Sequence, residues 1–223
     1  TDEFGNTIFW CGSNSTVTFA NSSSFDYGNT AIKFQTEDVY LTAPASSDYV
    51  VADDNPFTIE CWVNITETRN DWTAILDNRQ SSGSWHGIGH LALNSDEQLR
   101  LHGVAGTVGG TAGCELTIGT WHHIVACRET TTGELYRDGV LIASASYDAA
   151  LDGSPYPFTI GESTHGVATG TERMIGYVDE VMYAKEYKPP RFYLGNQAPE
   201  SGASFTTVKT HNFDGQEYMT ADD

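Results

Sequence analysis

The sequence predicts an all-β fold, a two-sheet antiparallel β-sandwich of the jelly-roll type. Three observations support this: short strand-like runs recur along the chain, turn-forming residues separate them, and long helical periodicity is missing. Many short strands at this spacing are typical of sandwiches. A chain of 223 residues is long enough to bury a self-supporting core, and sandwiches of this length form one domain.

The strand predictions rest on alternating apolar residues and on β-branched and aromatic runs. Between Phe57 and Val63 every second residue is apolar, which is the period of a half-buried strand. Asp138-Gly139 lies between two such runs and predicts a two-residue hairpin turn. The Gly- and Thr-rich residues 101–119 predict a loop or an irregular hairpin. Further strands are predicted at 16–19, 31–34, 39–41, 123–127, 135–137, 140–143, 158–160 and 175–183.

The chain is predicted to divide at residue 186. Residues 1–186 contain the predicted sandwich, and residues 187–223 form an exit segment that contains Pro189-Pro190 and Pro199. The last part, 205–223, is interpreted either as a final strand or as the opening strand of a second, similar unit.

The charge of the chain narrows the possible partners. Eleven Lys and Arg residues against 30 Asp and Glu residues give a net charge of −19. Such a surface repels nucleic-acid phosphates and anionic membranes, so we expect neither as a partner. We also expect no membrane insertion, because no apolar run approaches the roughly 20 residues that span a bilayer.

The four cysteines show no metal-binding or redox spacing. Cys61 and Cys127 lie within apolar strand patterns, where a free cysteine behaves as a small buried hydrophobe. We therefore predict core thiols, while one disulfide that involves Cys11 or Cys114 remains an open alternative.

Five motifs in chain order resemble those of laminin-G-like domains of the concanavalin-A-like lectin superfamily. Together with residues 31–41, they cover residues 31–186 and imply a concanavalin-A-like sandwich. The motifs are FTIECWV at 57–63, WHHIV at 121–125, LYRDG at 135–139, FTIG at 158–161 and GYVDEV at 176–181.

Within this family, the chain resembles copies found in bacteriophage structural proteins. The opening strand with its Ser- and Thr-rich stretch (8–24) and the Tyr- and Pro-rich tail (183–190) carry this likeness. It implies a non-catalytic module on the virion surface, in a tail fibre or capsid decoration, that binds host glycans or reinforces the particle. It also implies a homo-oligomer or a larger assembly. The alternative is a secreted or cell-surface carbohydrate-binding or adhesion module.

Several aromatic and histidine residues are candidates for a site. Trp72 and Trp85 lie in polar, loop-like stretches, where an exposed ring could stack on a sugar, so they are the predicted ligand-binding residues. Trp62 and Trp121 are predicted to belong to the core. The pair His122-His123 is predicted to be structural, because neighbours on a strand point to opposite faces.

The resemblance also implies calcium, since similar proteins often hold this ion at the sandwich rim. Asp179 in the fifth motif and Asp38 in an early turn are the predicted ligands, and calcium takes oxygen ligands of this kind. Zinc at His86 and His90 is not expected, because Gly87 and Gly89 oppose the helix that their spacing would require.

Catalysis is not expected. Related glycosidases carry E-x-D-x-x-E on one strand face, and residues 179–186 depart from that pattern in the first Glu and in the spacing. The chain also has no G-x-S-x-G, H-E-x-x-H or P-loop motif.

Overall fold

The computed structural model describes the backbone of residues 9–11, 18–20, 31–34, 39–68, 72–79, 86–163, 172–190, 205–209 and 218–221. Side chains are described for 31–34, 39–68, 72–79, 86–151, 153–163 and 172–190. Within these residues, no helix is long and apolar enough to cross a membrane.

Two seven-stranded antiparallel sheets form the body of the molecule, which confirms the predicted β-sandwich. Sheet A contains, in spatial order, β1 (Phe9–Cys11), β4 (Tyr40–Ala43), β15 (Phe158–Ile160), β7 (Thr73–Arg79), β8 (Gly87–Leu93), β9 (Leu99–Gly103) and β10 (Gly106–Gly109). Sheet B contains, in spatial order, β13 (Val140–Ser146), β12 (Thr132–Arg137), β11 (His122–Glu129), β6 (Phe57–Glu67), β16 (Ile175–Ala184), β3 (Ala31–Phe34) and β2 (Thr18–Ala20).

Among the described residues, two smaller strand pairs and one helical turn accompany these sheets. Strand β5 (Ala52–Asp53) pairs with β14 (Leu151–Asp152). A single 3-10 turn covers Ser47–Tyr49, and the Ser46 hydroxyl caps it by accepting a hydrogen bond from the Asp48 amide. Strands β17 (Phe205–Lys209) and β18 (Tyr218–Ala221) pair with each other. Whether they belong to a second unit, and whether the chain divides at residue 186, stay predictions.

The hairpin predicted at Asp138-Gly139 is confirmed. Arg137 pairs with Val140, which leaves a two-residue loop between β12 and β13. Both loop residues have positive φ, 52° at Asp138 and 79° at Gly139. That combination defines the type I′ turn, whose twist matches the right-handed twist of the flanking strands.

The core lies between the inner faces of the two sheets. On β6 the predicted alternation holds, because Phe57, Ile59, Cys61 and Val63 are all buried and belong to one apolar cluster. Burying a side chain the size of Phe57 contributes about 1.5–3 kcal/mol. The same cluster contains Leu91 and other apolar residues of sheet A, so it joins the two layers.

Two aromatic predictions were wrong. Trp62 and Trp121 are half-buried and are not part of the apolar core cluster. Trp62 pairs with His123 across the ladder, whereas the adjacent pair, Cys61 with Ile124, points into the core. Because strand residues alternate between faces, the Trp62 ring lies on the outer face of sheet B.

The cysteine prediction holds for the three residues whose side chains are described. Cys61, Cys114 and Cys127 are buried free thiols, so Cys114 forms no disulfide in this structure. Burial raises the pKa of the Cys61 thiol to about 12. The side chain of Cys11 lies outside the described residues.

Candidate functional site

Polar side chains cross the outer face of sheet A in one row. Asp77 on β7 pairs with His90 on β8, His90 pairs with His102 on β9, and His102 pairs with Thr107 on β10. Residues paired in this way project to the same side of a sheet. The row therefore faces away from the core. The neighbouring row points into the core and consists of Leu76, Leu91, Leu101 and Val108.

A buried ion-pair network holds one end of this row. Arg79 binds both carboxylate oxygens of Asp77, with Nε–Oδ1 and Nη2–Oδ2 distances of 3.0 Å. Its Nη2 also donates to Ser163 Oγ at 3.0 Å and lies 3.7 Å from Glu172 Oε2. Asp77 and Arg79 are only 1% and 4% exposed. Buried charges are stable only when paired and hydrogen-bonded, so the network fixes β7 to the segments that carry Ser163 and Glu172.

Burial also determines the protonation states along the row. Burial would raise the pKa of Asp77, but the electrostatic interaction with His90, together with the guanidinium of Arg79 and its hydrogen bonds, holds that pKa below its ordinary value. Burial lowers the pKa of His90 to about 3 and the pKa of His102 to about 4. At neutral pH the carboxylate is therefore ionised and both imidazoles are neutral.

The Trp72 cluster, which we define as Trp72, His90, Arg100, His102 and Thr107, extends from this row. The Trp72 ring centroid lies 5.9 Å from the His90 ring, and Arg100 Cζ lies 4.8 Å from the Trp72 centroid. Arg100 Nη2 lies 3.0 Å from His102 Nδ1, which also contacts Thr107 Oγ1 at 2.7 Å. A guanidinium only donates, so Nδ1 accepts and the proton of this neutral ring is on Nε2.

Two buried nitrogens of the cluster have no hydrogen-bond partner among the described residues. They are Nε2 of His90, a residue that is 2% exposed, and Nε of Arg100. Buried polar atoms in folded proteins are normally bonded, so such atoms mark positions where an incoming polar group would be stabilised. Trp72, Arg100 and His102 are half-buried, and the cluster is therefore reachable from the surface.

The structure places the predicted ligand-binding and calcium residues as follows. Trp72 lies directly before β7 and belongs to the Trp72 cluster. Trp85 and Asp38 lie outside the described residues. Asp179 is on β16 and pairs with Trp62, which puts it on the outer face of sheet B. The ligand-binding role of both tryptophans and the metal-binding role of both aspartates stay predictions.

Asp179 occupies an irregular point of its strand. The register with β6 shifts after this residue, and the next residue, Glu180, has a positive φ of 48°. Asp179 Oδ1 accepts a hydrogen bond from the Glu180 amide at 2.9 Å. Burial raises the pKa of Asp179, while that hydrogen bond acts in the opposite direction. In the part of the chain that the structure describes, no three His, Cys, Asp or Glu side chains form a group that could hold a metal.

The pair His122-His123 has the structural contacts that the sequence predicted. His122 Nε2 accepts from the Thr117 amide at 3.1 Å, and its Nδ1 lies 2.8 Å from Asp138 Oδ2. His123 Nε2 lies 2.9 Å from Glu60 Oε1. His122 pairs with inward-pointing Val63, so the two rings lie on opposite faces.

Sequence analysis missed most of the Trp72 cluster and the whole ion-pair network. Strands β7 and β8 were not predicted. Residues 101–119 were assigned to a loop or an irregular hairpin, and the hairpin of β9 and β10 overlaps the start of this stretch. The residues from Leu99 to His102 do alternate, with two buried leucines and two polar residues on the opposite face. This period-two signal would have predicted β9 and Arg100, but it is short and stands next to a glycine-rich stretch.

The architecture and the polar outer face of sheet A define a lectin-like β-sandwich. A laminin-G family model, described as the concanavalin A-like lectin/glucanases superfamily, matches residues 35–186. Because the match covers more than half of the chain, this protein belongs to that superfamily. No curated protein sequence matches the chain.

Solved structures show the same fold at low sequence identity. Domain 4 of AbnA, an extracellular arabinanase from Geobacillus stearothermophilus solved with arabinotriose, is 14% identical, with a TM-score of 0.61 over 85% of this chain and 89% of that one. A putative carbohydrate binding protein from Bacteroides ovatus is 13% identical, with a TM-score of 0.56 over 91% and 64%. Trypanosoma rangeli sialidase is 15% identical, with a TM-score of 0.55 over 82% of this chain and only 31% of the sialidase.

Proposed function

We propose that this chain is a non-catalytic glycan-binding module and that the Trp72 cluster is its binding site. The observation that carries the proposal is the half-buried Trp72 ring beside the buried His90, whose Nε2 has no hydrogen-bond partner in the part of the chain that the structure describes. The apolar face of a sugar ring packs on an aromatic ring, and its hydroxyls require a few well-placed polar groups. The cluster supplies both within one patch.

The surroundings of the cluster support this proposal. The Asp77–Arg79 pair fixes β7 directly after Trp72, and the ladder from β7 to β10 holds His90, His102 and Thr107 at set distances. A site that is ordered before binding loses less entropy when the ligand arrives.

We propose that the module lies on the virion surface, in a tail fibre or capsid decoration, where it binds host glycans or reinforces the particle. The likeness of segments 8–24 and 183–190 to bacteriophage structural proteins supports this location. Val140 and Leu141 at the end of sheet B are 54% and 48% exposed, and exposed apolar side chains of this size suit packing within a larger assembly.

The second candidate is a secreted or cell-surface carbohydrate-binding module. The similar domain of an extracellular arabinanase, solved with arabinotriose, and the similar putative carbohydrate binding protein support it. Sedimentation velocity discriminates between the two. We expect a stable oligomer that Val140→Ser/Leu141→Ser weakens; a monomer at all concentrations would favour the secreted module.

Calcium is part of the proposal, with Asp38 and Asp179 as ligands. The half-buried Asp179 carboxylate lies on the outer face of sheet B, the opposite side of the sandwich from the Trp72 cluster. The ion would therefore stabilise the fold and would not contact a glycan bound at Trp72. We expect calcium to raise the melting temperature and to leave glycan affinity nearly unchanged.

Replacing Trp72 by alanine is expected to abolish glycan binding, because a buried aromatic anchor typically contributes 2 kcal/mol or more, about 30-fold in affinity. The measurement is a broad glycan array probed with calcium and with chelator. Trp121→Ala is the matched control, since Trp121 is also half-buried but contacts Tyr177 of sheet B. Equal binding by both variants would contradict the proposed site, and no binding by the unmodified chain would contradict the proposed function.

A further inference from the structure

Arg100 carries a positive charge that no carboxylate of the described chain neutralises. Its polar contacts are with neutral groups, His102 Nδ1 at 3.0 Å and Thr107 Oγ1 at 3.4 Å, and its guanidinium lies over the Trp72 ring. The charge of Arg79 also acts on Arg100, but Arg79 is already paired with Asp77. In a chain of net charge −19, a half-buried arginine with no acidic partner among the residues that the structure describes is unexpected.

The remaining groups of the cluster leave this charge unopposed at neutral pH. Burial lowers the pKa values of His90 and His102 to about 3 and about 4, so both rings are neutral. Burial also lowers the pKa of Arg100, and the charge of Arg79 acts in the same direction. Arginine nevertheless stays protonated in proteins, so the cluster has a net charge of about +1.

We propose that the Trp72 cluster selects carboxylated saccharides, with Arg100 binding the sugar carboxylate and His90 Nε2 bonding a neighbouring polar group of the sugar. This inference rests on the proposed function, since it names the class of glycan that the same site takes. A planar guanidinium matches the geometry of a carboxylate, and the two form charge-assisted hydrogen bonds. His90 Nε2 is a buried nitrogen without a hydrogen-bond partner among the described residues, and such a ligand would supply one.

The overall charge of the protein makes this selectivity easy to recognise. A protein with a net charge of −19 repels an acidic glycan at a distance, so non-specific adsorption of such a glycan is disfavoured. A preference for acidic over neutral sugars would therefore have to come from a local cation such as Arg100.

Isothermal titration calorimetry with two matched pairs tests the inference: trigalacturonate against its methyl ester, and 3′-sialyllactose against its methyl ester. The two pairs distinguish uronic acids from sialic acids as the source of the carboxylate. We expect the acidic member of at least one pair to bind about tenfold or more tightly than its neutral counterpart, as one charge-assisted hydrogen bond implies.

Two variants assign the preference to Arg100. Arg100→Gln is expected to remove the preference for the acidic sugar, and Arg100→Lys to restore part of it, because lysine keeps the charge but loses the planar fork. Both variants should keep the thermal unfolding midpoint of the unmodified chain within a few degrees. If Arg100→Gln still prefers the acidic sugar, the assignment of this preference to Arg100 is overturned.

The outcomes separate the two proposals. If the acidic and neutral sugars bind with equal affinity, and Trp72→Ala loses this binding, the carboxylate preference is overturned but the glycan-binding function is not. If no sugar binds, on the array or in the calorimeter, both the glycan-binding function and the carboxylate preference are overturned.

Discussion

Replacing Arg79 by methionine is expected to lower the free energy of unfolding by about 3–5 kcal/mol, the cost of removing one partner of a buried ion pair. Asp77 is 1% exposed, and the loss of Arg79 would leave its carboxylate buried without the guanidinium that holds both its oxygens. The attraction between the two groups is strong only because both are removed from water. Urea unfolding followed by circular dichroism provides the measurement.

Two further variants separate this effect from the loss of a cation in general. Lys188→Met removes an exposed ion pair with Glu186, whose side chains are 50% and 69% exposed, and should change stability by less than about 0.5 kcal/mol. The double variant Asp77→Leu/Arg79→Met removes both charges and should be more stable than Arg79→Met alone. If Arg79→Met is as stable as Lys188→Met, the ion-pair network does not stabilise the site.

Arg128→Met is expected to cost about 3 kcal/mol, because hydrogen bonds from a buried charged group contribute about 1.5–3 kcal/mol each. Arg128 is the next-to-last residue of β11, is fully buried and lies over the Phe57 ring, with 5.5 Å from Cζ to the centroid. Its Nη2 donates to the carbonyls of Asp53 at 2.8 Å and Asn55 at 2.6 Å. Methionine fills similar space but leaves both carbonyls without this donor.

The matched control for Arg128 is Lys185→Met. Lys185 Nζ also donates to a backbone carbonyl, that of Ser47 at 3.0 Å, but its side chain is exposed to solvent. Water replaces such a bond, so we expect a change below about 0.5 kcal/mol. In thermal and urea unfolding, Arg128→Met should lose clearly more stability than Lys185→Met. Similar losses of stability in the two variants would contradict the role given to burial.

The fold was predictable because its signals are local. Alternation from Phe57 to Val63 and the Asp138-Gly139 turn each depend on a few consecutive residues, and the structure confirms both. Trp62 was assigned to the core because it is large and aromatic, but the pleat places it opposite the buried Cys61. The two-residue period of a strand, and not the size of a residue, determines which face of the sheet its side chain occupies.

The candidate site was predictable only at Trp72. Its partners come from three strands whose register brings His90 opposite His102, and no local pattern contains that register. Asp77 and Arg79 were not recognised because β7 itself was not predicted: the strand is buried at every position and shows no alternation of apolar and polar residues. Here both are buried, which follows from their contacts with Ser163 and Glu172, more than 80 residues later in the sequence.

The central claim is that glycans bind the outer face of sheet A at Trp72, and fluorine NMR of 5-fluorotryptophan-labelled protein tests it most directly. The chain has five tryptophans, and single Trp→Phe variants assign the five resonances. On addition of a saccharide that the array identifies, we predict that the Trp72 resonance shifts most, alone or together with that of Trp85. Shifts at Trp62 or Trp121 with an unchanged Trp72 resonance would place the binding site on sheet B and contradict the claim.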